Sequence, residues 1–112
     1  MNSKFRITNP VPKLDIVPID GLPVLGMENW GMMSFNQDFL LVNESTPFSR
    51  IQRISRLICH ETLHQWFGDL TTMKWWKFLW LKEGMARYLE YVLIDEFYPN
   101  WNYWTHYLKD IL

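Results

Sequence analysis

The sequence has little of what defines several large classes of protein. Its single cysteine, Cys59, excludes an internal disulfide framework and a zinc knuckle built from cysteine pairs. Eleven Lys and Arg residues against twelve Asp and Glu residues leave a net charge of -1, so no overall field would gather nucleic acid or an anionic membrane. No run of about eighteen uncharged apolar residues occurs, which predicts neither a signal peptide nor a membrane-spanning helix in this chain.

Apolar and aromatic side chains, by contrast, are abundant. Hydrophobic residues make up 48% of the 112 positions and aromatic residues 17%, with seven tryptophans. Such a composition favours burial over disorder, and the length suits one domain over residues 1–112. We therefore expect one small core, or a core that a neighbouring part of a longer protein completes. Four tryptophans are expected to pack in it: Trp66, Trp75, Trp76 and Trp80.

The first part of the chain, residues 1–48, has the composition of strands and loops. All but two of the six prolines fall within residues 1–26, which predicts an extended edge strand or a loop there. Between residues 29 and 42, the segment Trp30-Gly31-Met32-Met33-Ser34-Phe35 precedes the apolar segment Phe39-Leu40-Leu41-Val42. This pattern predicts a hairpin of two short strands, with its turn at residues 36–38.

The second part, residues 49–112, has helical periodicity. Apolar residues recur at roughly helical spacing from 50 to 67, and Gly68 is expected to end that helix. After an irregular connection, a second helix is predicted from about Glu83 until Pro99, and the remaining residues begin a third. The predicted fold class is therefore α+β, a strand region followed by a helical region.

The string His60-Glu61-Thr62-Leu63-His64 indicates a metal site. Two histidines four residues apart project from one face of a helix, so both can bind a single zinc ion. The glutamate between them, Glu61, is expected to lie close to a water molecule at the same ion.

Glu83, nineteen positions after His64, is the predicted third ligand. Catalytic zinc commonly takes three protein ligands and a water, and two histidines with one glutamate form an established set. With zinc acting as a Lewis acid, Glu61 would accept a proton from water and pass it to the leaving amine. The predicted reaction is zinc-assisted hydrolysis of an amide.

The spacing of the three ligands resembles the signature of the gluzincin metallopeptidases. Other strings resemble the M1 family of zinc aminopeptidases across roughly residues 11–99, namely Gly26-Met27-Glu28-Asn29 with Trp30-Gly31, Gln65-Trp66-Phe67-Gly68, Trp75-Trp76, and Trp80-Leu81-Lys82-Glu83-Gly84. The resemblance implies a thermolysin-like catalytic domain, one zinc ion per chain, and the removal of N-terminal amino acids from peptides.

The same resemblance implies how a peptide is held. Glu28 would bind the free α-amino group of the substrate, which makes the enzyme an exopeptidase. The backbone around Gly26 and Met27 would pair with the extended peptide as an added strand, and Asn29 completes this substrate-binding motif.

Two departures from the family pattern keep other interpretations open. The family usually has Gly-Ala where this chain has Leu25-Gly26, and its oxyanion-stabilising tyrosine lies at a distance that falls beyond residue 112. The alternative function is therefore a catalytically impaired zinc-binding fragment. A third interpretation is an interaction module whose aromatic surface associates with missing domains or with a full-length relative.

Other polar residues have plainer interpretations. Arg50, Arg53 and Arg56 share one helix face, which we expect to be solvated or to face another domain rather than nucleic acid. His106 is expected to be an ordinary surface or core histidine. Cys59 is expected to have a structural role rather than to act as a nucleophile. For localisation, the resemblance favours a membrane-anchored or secretory-pathway ectoenzyme, with a cytoplasmic enzyme as the alternative.

Overall fold

The computed structural model describes Thr8 and residues 11–112. These residues form three strands and three α-helices: β1 (Asp15–Ile19), β2 (Gly26–Met27), β3 (Met32–Asn36), α1 (Phe48–His64), α2 (Leu79–Phe97) and α3 (Trp104–Ile111). Short 3-10 helices lie at Gln37–Phe39, Trp76–Phe78 and Pro99–Trp101. The fold class is α+β, as the sequence predicts.

The three strands form one sheet in the order β1-β3-β2. β3 pairs in parallel with β1, with Ile16 opposite Met33, and antiparallel with β2, with Gly26 opposite Phe35. Pro18 is tolerated in β1 because an edge strand pairs on one side only. The predicted extended region thus contains β1, while residues 1–7, 9 and 10 of that prediction lie outside the described residues.

The predicted hairpin over residues 29–42 is wrong. Only its first strand forms, as β3, because the Asn36 side chain accepts a hydrogen bond from the Asp38 amide at 3.0 Å and begins a 3-10 helix there. The following apolar residues 39–42 form no strand, and Val42 is 59% exposed. The partners of β3 come instead from earlier in the chain: β2 pairs with it across a short loop, and the parallel pairing with β1 leaves no signal in a local pattern.

The helical region contains the predicted elements with shifted ends. α1 ends at His64 rather than at residue 67, because the backbone tightens there: the Gln65 amide donates to the Thr62 carbonyl and the Trp66 amide to the Leu63 carbonyl, each at 3.1 Å. α2 begins at Leu79, four residues before the predicted start, so Glu83 lies in its second turn. The predicted third helix forms as α3.

The core lies where α1 packs along α2. One buried cluster contains Leu63, Ala86 and Leu93, and a second contains Tyr91, Ile94 and Tyr103, which joins α3 to α2. Cys59 packs against both clusters, in keeping with the structural role predicted for it.

Most of the tryptophan prediction is wrong. Trp66 is buried, but three of the four are exposed by 66%, 71% and 68%: Trp75, Trp76 and Trp80. They lie in and beside the connection that precedes α2, where the described residues provide no layer to cover them. Among the described residues, no helix has both the length and the apolar composition needed to cross a membrane.

Candidate active site

The three predicted zinc ligands meet between α1 and α2. His64 follows His60 by one turn of α1, and the Nε2 atoms of the two rings are 3.1 Å apart. The carboxylate of Glu83, from the facing helix α2, places Oε2 at 3.3 Å from His60 Nε2 and Oε1 at 3.4 Å from His64 Nε2. Spacing along the sequence therefore identified three side chains that the fold brings to one point.

The outer nitrogens of both histidines are engaged in hydrogen bonds. His64 Nδ1 lies 2.9 Å from the carbonyl oxygen of Phe67, which can only accept, so Nδ1 carries the proton and Nε2 presents a lone pair. His60 Nδ1 lies 2.7 Å from Oε2 of the buried Glu90 and donates to it. Both Nε2 atoms and the Glu83 carboxylate are thus arranged as acceptors around one point.

Such a set of acceptors needs a cation or a proton at its centre. Burial lowers the pKa of His60, but the hydrogen bond and the charge of Glu90, with Glu61 and Glu83, outweigh it and raise the pKa. The raised pKa favours the protonated ring, in which Nε2 can donate to the neighbouring acceptors, and a metal ion would compete with that proton.

The donor set fits zinc. Ligand atoms of a tetrahedral zinc ion, each about 2.0–2.1 Å from the metal, lie about 3.3 Å from one another. The two Nε2 atoms are 3.1 Å apart, and each lies 3.3 or 3.4 Å from a different oxygen of Glu83, so the three side chains stand at distances a zinc ion can bridge. The third histidine, His106, stacks on Tyr103 with 4.7 Å between ring centroids and belongs to no metal-binding group among the described residues.

Glu61 lies beside this group, buried against β2. Its Oε2 atom has no hydrogen-bond partner within the described part of the chain. Burial raises its pKa to about 7, with the charges of Glu28 and Glu83 acting in the same direction and His60 opposing them. A Cβ atom added to Gly26 would lie 2.8 Å from Glu61 Oε1, so the glycine allows the strand to approach this carboxylate.

Glu28 lies at the far end of β2 and is bound by an ammonium group. The Nζ atom of Lys82 donates to Glu28 Oε1 and lies 4.0 Å from Glu83 Oε1. Burial acts to raise the pKa of Glu28, but the hydrogen bond from Lys82 and the charges of His64 and Lys82 lower it overall. Glu28 is therefore a carboxylate that remains ionised while partly buried, and that already binds a primary amine.

The loop between β2 and β3 is held against α1. The Asn29 side chain donates to Ser34 Oγ at 3.1 Å, while its backbone carbonyl accepts from the buried Gln65 at 3.4 Å. Gln65 Oε1 also accepts from the Gly31 amide at 3.0 Å. Of the predicted substrate motif, Gly26 and Met27 form β2, whereas the side chain of Asn29 fastens the loop.

Sequence reasoning missed three residues that support the site. Glu90 orients His60, Gln65 joins the loop to α1, and Lys82 binds Glu28. A signal existed for Glu90 alone, because it follows Glu83 by seven residues and two helical turns return a side chain to the same face.

Comparison with known proteins agrees with this geometry. The sequence profile of the peptidase family M1 domain matches residues 1–112. The chain belongs to peptidase family M1. This M1 chain is 42% identical over 109 residues to the alanine/arginine aminopeptidase of Saccharomyces cerevisiae. The aligned region covers 96% of this chain and 13% of that protein.

Two further relatives come from a plant and an animal. Aminopeptidase M1-D of Oryza sativa subsp. japonica is 44% identical over 105 residues, covering 93% of the chain and 12% of the relative. The puromycin-sensitive aminopeptidase of Caenorhabditis elegans is 40% identical over 112 residues, and the match covers 99% of the chain and 12% of that relative. The M1 chain thus spans only 12–13% of the length of these relatives.

Proposed function

We propose that this M1 chain provides the zinc-binding and amine-anchoring core of a metallo-aminopeptidase on a thermolysin-like scaffold. The observation that carries the proposal is the convergence of His60, His64 and Glu83 within 3.1–3.4 Å of one another, beside the unpartnered carboxylate oxygen of Glu61. The names of the relatives, which are aminopeptidases, support the same reaction class.

Proton transfer is assigned to Glu61. Zinc, when bound by His60, His64 and Glu83, supplies Lewis-acid polarisation of a carbonyl group and acidifies water. Glu61 takes a proton from the attacking water on its unpartnered oxygen as the water oxygen bonds to the carbonyl carbon. When the first peptide bond breaks, Glu61 returns that proton to the departing amine, so the carboxylate is regenerated.

The position of the cut is assigned to Glu28. A peptide's α-ammonium group binds this carboxylate and shares or displaces the ammonium group of Lys82 that lies there. A chain that continued beyond its N-terminus would meet the Glu28–Lys82 pair, so only the first peptide bond reaches Glu61. The edge of β2 provides main-chain hydrogen bonds that hold the peptide extended without selecting side chains.

The test compares the full chain with its Glu61→Gln variant, and Glu44→Gln serves as an exposed control. Zinc content is measured by mass spectrometry and turnover with an aminoacyl chromogenic substrate. We expect about one zinc ion per chain in all three proteins, and a rate at least about a hundredfold lower in Glu61→Gln alone.

Two results would contradict the proposal. Absence of zinc after dialysis against a zinc buffer would show that His60, His64 and Glu83 do not form a zinc site. Zinc at full occupancy with background turnover in every version would show that this chain is a zinc-binding scaffold and does not catalyse the reaction by itself.

A further inference from the structure

A groove of about 660 Å³ runs along α1 and reaches the metal site. His60 and Glu61 line its inner end, and Leu25 and Gly26 of the β2 segment line one side. Its most distinctive feature is its arginine content, which comprises Arg50, Arg53, Arg56 and Arg87.

The helices place these arginines on one wall. Spacing of three residues brings Arg50, Arg53 and Arg56 to neighbouring positions on α1, and Arg87 follows Glu83 by one turn of α2. The sequence analysis expected a solvated or interdomain face for the three arginines of α1. Arg50 and Arg53 are indeed exposed, and all three arginines line the groove that leads to Glu61.

The four guanidinium groups differ in how far their charge is neutralised. The charge of Arg56 is neutralised by two ion pairs, with Glu90 Oε1 at 3.4 Å and with Asp110 Oδ2 at 3.0 Å. Arg87 is 3.6 Å from the same Glu90 oxygen, which it shares, and its side chain is 59% exposed.

The outer two arginines carry charge that no described carboxylate neutralises by an ion pair. Arg50 donates to the backbone carbonyl of Asp38, and Arg53 has neither a hydrogen bond nor an ion pair within the described residues. The carboxylates that line the groove are those of Asp38, Glu61 and Glu90. Since Glu90 already serves His60 and Arg56, the outer groove has a surplus of positive charge.

The direction of β2 sets which part of a peptide meets this wall. Leu25 and Gly26 line the groove, whereas Glu28, two residues further along the chain, binds Lys82. A peptide whose amine lies at Glu28 and whose backbone follows β2 therefore extends past Gly26 into the groove. Measured along α1 from His60, Arg56 is about 6 Å away and Arg53 about 10 Å away.

An extended peptide advances about 3.3 Å per residue, so its second to fourth residues come within reach of the arginines. We propose that this groove binds a carboxylate group carried by the substrate downstream of the cleaved bond, with Arg53 as the principal contact. The carboxylate belongs either to an acidic side chain at the second to fourth residue or to the C-terminus of a short peptide. This inference rests on the proposed function, which places the peptide N-terminus at Glu28.

The test measures peptide affinity by calorimetry on the zinc-loaded full chain that carries Glu61→Gln, so that peptides are not consumed. The peptides are amidated Leu-Ala-Glu-Ala, Leu-Ala-Gln-Ala and Leu-Ala-Lys-Ala, with matched peptides that carry the acidic residue at position two or four. Leu-Ala-Gln-Ala with a free C-terminus separates the terminal carboxylate from the side-chain source, and N-acetylated versions test the dependence on Glu28.

We expect the best glutamate-containing peptide to bind about fivefold more tightly than its glutamine counterpart, and the lysine peptide more weakly than either. Adding Arg53→Gln should abolish the difference, whereas Arg53→Lys should retain most of it and Lys77→Gln, an exposed lysine outside the groove, all of it. Raising the salt concentration should reduce the preference, because these charges are accessible to solvent.

Three results would overturn the inference, and they separate it from the proposed function. Equal affinity for acidic and neutral peptides, with binding that still requires a free amine, rejects the groove alone. An acidic preference that persists after N-acetylation would reveal a general anion site and also reject it. Failure of every peptide to bind rejects the proposed function and this inference together.

Discussion

The orientation of His60 depends on a single buried carboxylate. Glu90 accepts from His60 Nδ1 at 2.7 Å and is held in turn by Arg56 at 3.4 Å. Because Glu90 is on α2 and His60 on α1, the contact sets both the ring orientation and the nitrogen that faces the metal. If the proposed ligands bind zinc, Glu90, which is outside the ligand set, would therefore affect how tightly they bind it.

Replacing Glu90 by glutamine tests this dependence. Glu90→Gln keeps the size of the side chain and an acceptor oxygen but loses the charge, so we expect zinc affinity to fall about tenfold to a hundredfold. Competition with a fluorescent zinc chelator measures it, and circular dichroism verifies that the helices persist. Asp95→Asn, on the same helix, is the control, and an unchanged affinity in folded Glu90→Gln would contradict the assignment.

Single residues also show how far sequence predicts the site. His60, His64 and Glu83 followed from spacing, because helical geometry converts four residues into one turn and metal chemistry restricts the ligand types. Gln65 and Lys82 were not assigned their roles, because their partners lie 34 and 54 positions away and depend on the tertiary fold. The same holds for the arginines, whose environment is a groove that no local pattern shows.

At the scale of elements, a polar cluster adds to the aromatic packing that attaches α3 to α1 and α2. Asp110 of α3 accepts hydrogen bonds from Tyr91 of α2 and from Arg56 of α1, the latter at 3.0 Å. The hydrogen bond from Tyr91 is the main cause that lowers the pKa of Asp110 below its usual value. The hydroxyl of Tyr91 responds oppositely, since burial and then this bond raise its pKa to about 12.

The lowered pKa of Asp110 predicts an acid-sensitive attachment of α3. A carboxylate with a lower pKa in the folded state adds stability above its unfolded pKa of about 3.9 and loses it as pH falls through the folded value. We expect Asp110→Asn to lower the free energy of unfolding at pH 7 by at most about 1 kcal/mol, because the side chain is half exposed.

Urea titrations monitored by tryptophan fluorescence measure the free energy of unfolding of the wild-type chain and of Asp110→Asn at several pH values between 7 and 3. The gap in unfolding free energy between the wild-type chain and Asp110→Asn should narrow as the pH falls from about 4 to 3, whereas Asp20→Asn, at an exposed site, should show no such convergence. A gap that stays constant over this range would mean that the charge of Asp110 does not hold α3.

Elements differed in how well the sequence predicted them. The helices were predicted because their apolar periodicity extends over many residues, although their ends shifted where the turn after His64 and the 3-10 helix at Trp76–Phe78 intervened. The hairpin prediction failed because strand partners are chosen by the sheet as a whole. β3 pairs with β1 in parallel, and that pairing leaves no local signature.

At the scale of the whole molecule, the proposed zinc ligands come from the two largest helices. His60 and His64 belong to α1 and Glu83 to α2, so an ion bound by all three links the helices directly. Because the unfolded chain does not hold these ligands together, zinc binding stabilises the folded state by mass action.

Zinc should therefore raise the melting temperature. At a free zinc concentration about a hundredfold above the dissociation constant, the gain is about 2.7 kcal/mol, or roughly 10–20 °C for a domain of this size. Differential scanning calorimetry with zinc and with a chelator measures the shift. It should disappear in His64→Asn and persist in His106→Gln, and an equal shift in both variants would place the metal elsewhere.

In the proposed function, the edge of β2 binds peptide backbone, and backbone is common to every polypeptide, including other copies of this chain. An open strand edge of that kind invites continuous strand addition, which leads to aggregation. Here the edge is two residues long and ends at the ion pair of Glu28 and Lys82. A strand that pairs there would therefore end with its own amine at this ion pair, so the feature proposed to select chain ends would also keep the edge from starting a larger sheet.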